Sequence, residues 1–413
     1  MTRPRDLVAS ICPIGDFLVQ CPLMEDSSTL PPPIWVDRSA SFRAMLSHLR
    51  DESALAVDTE SNSLYVYQEQ VCLIQISVPG TDYLIDPLAL RNLSGLGPLL
   101  ADPDVLKVFH GAEYDLSVLD RDFGFTVANL FDTMWASRIL GWPAHGLAAV
   151  LKDRFGVSLN KRYQRANWGL RPLPPEQLSY ARLDTHYLLP LYEIQAQELE
   201  ANQRWPQARH RFQRMLETRW EPKEFDPDGF WQLSGVRALD DAGRGVLREL
   251  YLFRDQRARA ENRPPFKVLT NKVLLALSER RPQNRRDLQH IKGISQRMVG
   301  RYGRGLLAAI RRGQDHPLAW DERPRTNGGS THGSNGRPSA ACQTRFEALR
   351  AWRNATAEVR GVEPDIILTN QTLWAVAHRN PRRIKDLTRD GLLAPWQVDE
   401  FGGDLLSVVQ RTR

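Results

Sequence analysis

One stretch of this chain is written twice, and that repeat constrains its fold more than any other feature. Leu269-Thr270-Asn271 recurs as Leu368-Thr369-Asn370, 99 positions later. In the same register Arg254 matches Arg353, Pro265 matches Pro364, Leu274 matches Leu373, Ala276 matches Ala375, Pro282 matches Pro381 and Asp287-Leu288 matches Asp386-Leu387. Unrelated segments do not hold one register over that distance, so the chain carries two copies of a single module. Apolar residues in this half recur at helical spacing, as in Val246-Leu247-Leu250-Tyr251 and Val273-Leu274-Leu277, and the strand signal fades beyond about residue 200. Both copies therefore read as all-helical. Asn327 to Ser339 between them is rich in Gly, Ser and Asn, a composition that buries little apolar surface and predicts a flexible tether. Such a tether keeps the last module near without fixing it, so the expectation is a module that swings or docks weakly.

The first half follows a different period. Leu55–Glu60, Val71–Val78 and Tyr83–Ile85 read as strands separated by polar or Pro-Gly punctuation, and Val105–Phe109 follows Asp102-Pro103-Asp104 as a fourth. Helical periodicity appears at Leu116 and Leu119, at Trp135–Leu140, and from Leu178 to Leu191. Sheet alternating with helix predicts an α/β layer architecture. At 413 residues the chain exceeds what one core organises, so several domains are expected.

Charge divides along the same line. Residues 1–242 carry 23 Lys+Arg against 32 Asp+Glu, a net −9, whereas residues 243–413 carry 32 against 17, a net +15. A basic half favours a polyanionic partner. No segment approaches the roughly 18 apolar residues of a membrane span, and Leu7 to Val19 is interrupted by Pro13 and Asp16, so neither anchor nor signal peptide is read. Cys12, Cys21, Cys72 and Cys342 are scattered, which argues against a disulfide framework or a zinc site and fits a cytoplasmic location.

Three acidic pieces stand out. Asp58 and Glu60 end the apolar run Leu55-Ala56-Val57, and residues two apart on a strand point to one face. Paired carboxylates of this kind suit hard divalent cations, although a solvated strand end also accounts for an isolated Asp-x-Glu. Asp115 falls in the first turn of the helix after the Val105–Phe109 strand, where a plain helix-terminus charge is the alternative. Tyr180 and Asp184, four apart, share a helical face, as they would in an ordinary amphipathic helix.

In this order and spacing the three pieces resemble the DEDD exonuclease superfamily, in its tyrosine branch, and within it the ribonuclease D family. Val71 to Ser77, Phe131-Asp132-Thr133 and Trp168 to Leu173 are similar to segments of that family, and the two helical modules resemble HRDC domains, the second more divergently. Gly111 stands where many relatives carry Asn or Ala, which leaves the neighbouring acid untouched. The resemblance implies an RNase H-like α/β exonuclease domain, a mixed sheet flanked by helices, followed by two all-α HRDC-type domains. It implies two divalent metal ions, Mg²⁺ or Mn²⁺, one held by Asp58, Glu60 and Asp184 and a second by Asp58 and Asp115, partly through water. It implies 3′→5′ removal of mononucleotides from RNA, with maturation of tRNA precursors and other stable RNAs as its setting. Tyr180 would orient the attacking water, since a phenol with a pKa near 10 is a poor base.

Two further residues are candidates for substrate binding. Arg171 lies in a segment whose family counterparts flank the substrate channel, and His110 closes the strand before Asp115, where a core histidine is the other reading. The expected division is an N-terminal extension 1–34, an exonuclease domain 35–210, a connector 211–242, an HRDC domain 243–315, a flexible linker 316–342 and a second HRDC-like domain 343–413. A monomer that binds RNA and no membrane is the expected state. A DNA exonuclease and a non-catalytic nucleic-acid binder are the competing readings. No G-x-x-x-x-G-K-S/T loop suggests a linked helicase or polymerase, and the retained acids and tyrosine count against the binder.

Overall fold

The computed structural model describes residues 30–222, 224–324 and 338–412. The expected tether at 327–339 therefore lies almost wholly outside the described residues, as do Cys12, Cys21 and most of the expected N-terminal extension.

Six strands make one mixed sheet: β1 (Ile34–Val36), β2 (Ala54–Ser61), β3 (Val71–Val78), β4 (Thr81–Ile85), β5 (Leu106–Phe109) and β6 (Leu130–Asp132). Their order is β1-β4-β3-β2-β5-β6, with β2, β3 and β4 antiparallel to their chain neighbours and the other pairings parallel. β3 is buried along its whole length, its polar Gln75 and Ser77 included, which is why it reads as a mostly apolar run without alternation. β1 and β6 escape sequence reading because three residues carry no period.

Helices Glu113–Phe123, Thr133–Leu140, Pro175–His186 and Leu188–Ala201 flank the sheet. The last two replace the single helical stretch expected from Leu178 to Leu191. Pro190 explains the break: it has no N–H to offer the His186 carbonyl, and its ring crowds that oxygen. The α/β layer also runs past residue 210, for Phe212 and Met215 of helix Trp205–Met215 belong to its core. The expected connector 211–242 is anchored at points along its length, since Phe230, Trp231 and Val236 join the core of the first helical module while most of its residues stay exposed.

The repeat is a repeat of structure. Helices Asp241–Ala260, Pro265–Val268, Asn271–Arg280, Arg285–Gln289 and Gln296–Asp315 each return 99 residues later as Ala340–Arg360, Pro364–Ile367, Asn370–Arg379, Ile384–Thr388 and Pro395–Arg411. Buried Arg254 donates to the Leu269 carbonyl at 3.3 Å and to Asn271 Oδ1 at 2.6 Å, and its counterpart Arg353 donates to the Leu368 carbonyl at 3.1 Å and to Asn370 Oδ1 at 2.8 Å. The Leu-Thr-Asn tripeptide recurs because its Asn and Leu receive this arginine while its Thr caps the next helix.

Both modules dock on the α/β domain by the same edge. In the first, Tyr67 beyond β2 donates to Asp255 at 2.7 Å, and its backbone N–H donates to Asn262 at 3.0 Å. In the second, the position equivalent to Asn262 is Gly361, whose carbonyl lies so close to Gly141 that a Cβ there would collide. Arg138 beside it contacts Glu363 at 2.5 Å and Asp365 at 2.8 Å. The last module is therefore docked on the α/β domain, the second of the two arrangements that the tether allows.

Candidate active site

The C-terminal end of β2, which lies between antiparallel β3 and parallel β5, carries Asp58 and Glu60. Leu55 and Val57 point the other way into the core, which leaves the two acids on the opposite face. Glu60 lies across from Leu73 of β3, and Leu73 packs in a cluster with Cys72, Leu84, Trp168, Tyr180 and Ala181. That cluster lays helix Pro175–His186 over the strands. Polar contacts fix its position: the Thr185 and Ser77 hydroxyls meet at 2.7 Å, and His186 Nδ1 lies 2.9 Å from Asp82, which also accepts from Ser77 at 2.6 Å.

This placement brings carboxylate oxygens of Asp58, Glu60 and Asp184 within 4.8 Å of one another. Asp115 enters from the first turn of helix Glu113–Phe123, where it accepts a 2.5 Å hydrogen bond from the Thr59 hydroxyl. The turn before that helix is held by Asp132, which accepts from the N–H groups of Gly111 at 2.8 Å and Ala112 at 2.7 Å and caps the next helix through Trp135 N at 2.9 Å. Gly111 has φ +84, a conformation that suits glycine.

Electrostatics follow from the crowding. Burial, then the Asp184 charge, pushes the Asp58 carboxyl well above the usual carboxylate range. Burial and the charges of Asp58, Asp184 and Asp115 do the same to Glu60. Asp115 is raised by burial and by Asp58, and Asp184 by burial and by Asp115, against a hydrogen bond from Tyr180 that lowers it. The Tyr180 hydroxyl, which also receives a hydrogen bond from Gln164, is itself raised, by burial and then by the charges of Asp184, Glu60 and Asp58. Four acids set so close repel unless they are protonated or bridged by cations. An anionic, all-oxygen donor set fits hard divalent ions such as Mg²⁺ or Mn²⁺, and it lacks the thiolates and imidazoles that zinc prefers.

Five of the seven sequence-read residues thus converge: Asp58, Glu60, Asp115, Tyr180 and Asp184. Arg171 does not join them as a free phosphate grip. Its Nε and Nη2 make a two-point contact with Asp86, both at 2.7 Å, while Nη2 also donates to the Cys72 carbonyl and Nη1 to the carbonyls of Trp168 and Leu170. All five N–H donors are engaged in tying the 168–171 loop to the sheet. His110 is likewise a core histidine: the Thr133 hydroxyl donates to the Phe109 carbonyl, so the ring Nδ1 donates to that hydroxyl at 2.9 Å. Burial lowers its pKa to about 4, which keeps the ring neutral. Thr59, Gln164 and Asp132 are contributors that the sequence did not disclose.

A family model described as a 3′-5′ exonuclease matches residues 33–200, and an HRDC domain model matches residues 244–310 and 343–409. Among curated proteins, the exosome complex exonuclease RRP6 of Saccharomyces cerevisiae is 36% identical over 260 residues, which is 59% of this chain and 36% of that protein. The chain thus spans about a third of that relative's length. The crystal structure of the catalytic core of RRP6 from Trypanosoma brucei superposes with TM-score 0.64 at 31% identity, covering 70% of this chain and 81% of that one. Escherichia coli RNase D, an exoribonuclease involved in structured RNA processing, shares the fold over 92% of this chain and 99% of its own, with TM-score 0.63 and 23% identity.

Proposed function

This chain belongs to the ribonuclease D-like family of 3′→5′ exonucleases that carry HRDC domains, and on that premise we propose that it is a metal-dependent exoribonuclease releasing mononucleotides from RNA 3′ ends. The observation that carries this reading is the convergence of Asp58, Glu60 and Asp184 within 4.8 Å, with Asp115 tied to the same strand end through Thr59. In this reading Asp58, Glu60 and Asp184 hold one divalent ion, and Asp58 with Asp115 holds a second. When bound, such a pair supplies an activated water, neutralises phosphoryl charge and stabilises the departing 3′-oxygen.

The remaining roles belong to the chain itself. Tyr180 keeps its proton, because burial and the neighbouring carboxylates raise its pKa, so it does not act as a base; its single O–H, donated to Asp184 in this structure, would pass to the water and orient it once Asp184 holds a cation. Gln164 and Asp184 fix its hydroxyl, and the rings of Tyr163 and Trp168, at 6.0 and 6.3 Å between centroids, fix its plane. The basic second half draws in the polyanion. Arg285, Arg286, Lys292, Arg297, Arg304 and Arg311 of the first module are exposed and, among the described residues, pair with no carboxylate. Such unneutralised charge supports binding to structured RNA with a 3′ tail, and trimming of tRNA precursors and similar stable RNAs is the specific role we infer.

The test is shortening of a 5′-labelled single-stranded RNA and its DNA counterpart, with Mg²⁺ or Mn²⁺ and with EDTA. A one-nucleotide ladder from RNA that depends on metal supports the reading. Preference for the DNA strand would turn it toward a deoxyribonuclease, and binding without cleavage toward a non-catalytic scaffold.

A further inference from the structure

Tyr114 is one of the few large apolar side chains left exposed among the described residues, at 45%. Asp115 is its neighbour in sequence, and Ser61, whose Oγ its hydroxyl meets, follows Glu60, so it stands at the rim of the acid cluster.

The Tyr114 side chain is held rigid. Its hydroxyl lies 2.7 Å from Ser61 Oγ and donates to Glu69 Oε2 at 2.8 Å. The other oxygen of Glu69 accepts from Arg121 Nη1 at 2.7 Å, Arg121 Nε donates to Asp122 at 2.6 Å, and Asp122 accepts from the Val71 N–H of β3 at 2.6 Å. The chain of contacts runs from the ring to the sheet backbone. It positions the tyrosine between Ser61, next to Glu60, and Asp115, its own neighbour in sequence. Among the described residues no other ring or cation lies on its face. An aromatic side chain with an anchored edge and an open face is preorganised for a flat partner, because its ordering cost is already met in the free protein.

We propose that Tyr114 is a stacking platform for a nucleobase flanking the scissile phosphate. The assignment rests on the exonuclease reading and names the group that grips the 3′ end without regard to sequence, since every base offers a π-face. Polar recognition by the hydroxyl is not required, for it is already bonded within the protein.

The experiment uses the full chain and short oligoribonucleotides with 2-aminopurine at the last or second-to-last position, bound with Ca²⁺ in place of Mg²⁺ so that the strand stays uncut. Wild type and Tyr114→Phe should quench the probe, whereas Tyr114→Ala and Tyr114→Leu should not. In Mg²⁺ the last two should raise KM by about 5- to 150-fold, the range expected for losing one base–aromatic stack, with kcat changing less. Equal quenching by Tyr114→Ala and wild type overturns the proposal. So does Tyr114→Phe behaving like Tyr114→Ala, which would make the hydroxyl network the important part. A wild-type protein that shortens no RNA in Mg²⁺ instead defeats the underlying exonuclease reading.

Discussion

The Thr59 hydroxyl donates a 2.5 Å hydrogen bond to the Asp115 carboxylate, so the residue between the two strand acids holds the helix acid at the same edge. The site thus has a hydrogen bond from the chain itself among its acids. Its four carboxyls, Asp58, Glu60, Asp115 and Asp184, all hold protons more tightly folded than unfolded. For a carboxyl with a raised folded pKa, ionisation opposes folding: the penalty is absent below the unfolded pKa of about 4 and grows as pH rises toward the folded value. Metal-free Asp184→Asn should therefore melt above wild type, and the gap should widen with pH above about 4. Mn²⁺ should raise the Tm of wild type more than that of the variant. A gap that shrinks with rising pH would contradict this electrostatic account.

Asp58→Ala and Asp184→Ala should abolish hydrolysis with the fold intact, because each removes a proposed metal ligand and relieves repulsion without opening a core. Circular dichroism and turnover at matched metal concentration decide this. Near-wild-type turnover in either variant would remove that residue from the metal site.

Tyr180→Phe deletes only the hydroxyl that Asp184 and Gln164 hold. Turnover should fall by about 10²- to 10⁴-fold while RNA affinity stays near wild type, as expected for lost positioning of a reacting group. Unchanged turnover would make Tyr180 a packing residue.

Arg171→Ala separates two roles that look alike in sequence. Asp86 is buried, and removing its guanidinium partner strands a charge, so stability should drop by about 3–5 kcal/mol. The slope of log affinity against log salt should stay unchanged, because no phosphate contact is lost. A flatter slope at undiminished stability would return Arg171 to the substrate.

The seat of the second module includes ion pairs of Arg138 with Glu363 and Asp365. Arg138→Glu should detach that module and enlarge the radius of gyration seen by small-angle scattering, and adding Glu363→Arg and Asp365→Arg should restore the compact form. Scattering that does not respond to Arg138→Glu would mean the module is held by its other contacts, among them Gln207 to Glu400 and Arg204 to the Arg360 carbonyl.

The acids and the tyrosine were legible in the sequence because each pair sits within one element, where a spacing of two or four fixes a shared face. The repeat was legible because its register survives in a buried arginine and its asparagine. What stayed hidden depends on partners far apart in the chain. Arg171 meets Asp86 across 85 positions and Thr59 meets Asp115 across 56, and no periodicity relates them. The docking of the second module was hidden for the same reason: a Gly/Ser tether reports its own flexibility and says nothing of the surface that its cargo meets.

The central claim, that these residues cut RNA from a free 3′ end, is tested most directly by one competition. Linear RNA with a 3′-hydroxyl and a circular RNA of the same sequence are incubated together with the full chain and Mg²⁺. Mononucleotides should appear from the linear strand alone, with the circle intact and all release stopped by EDTA. Opening of the circle at a comparable rate, or release that persists in EDTA, would contradict the account.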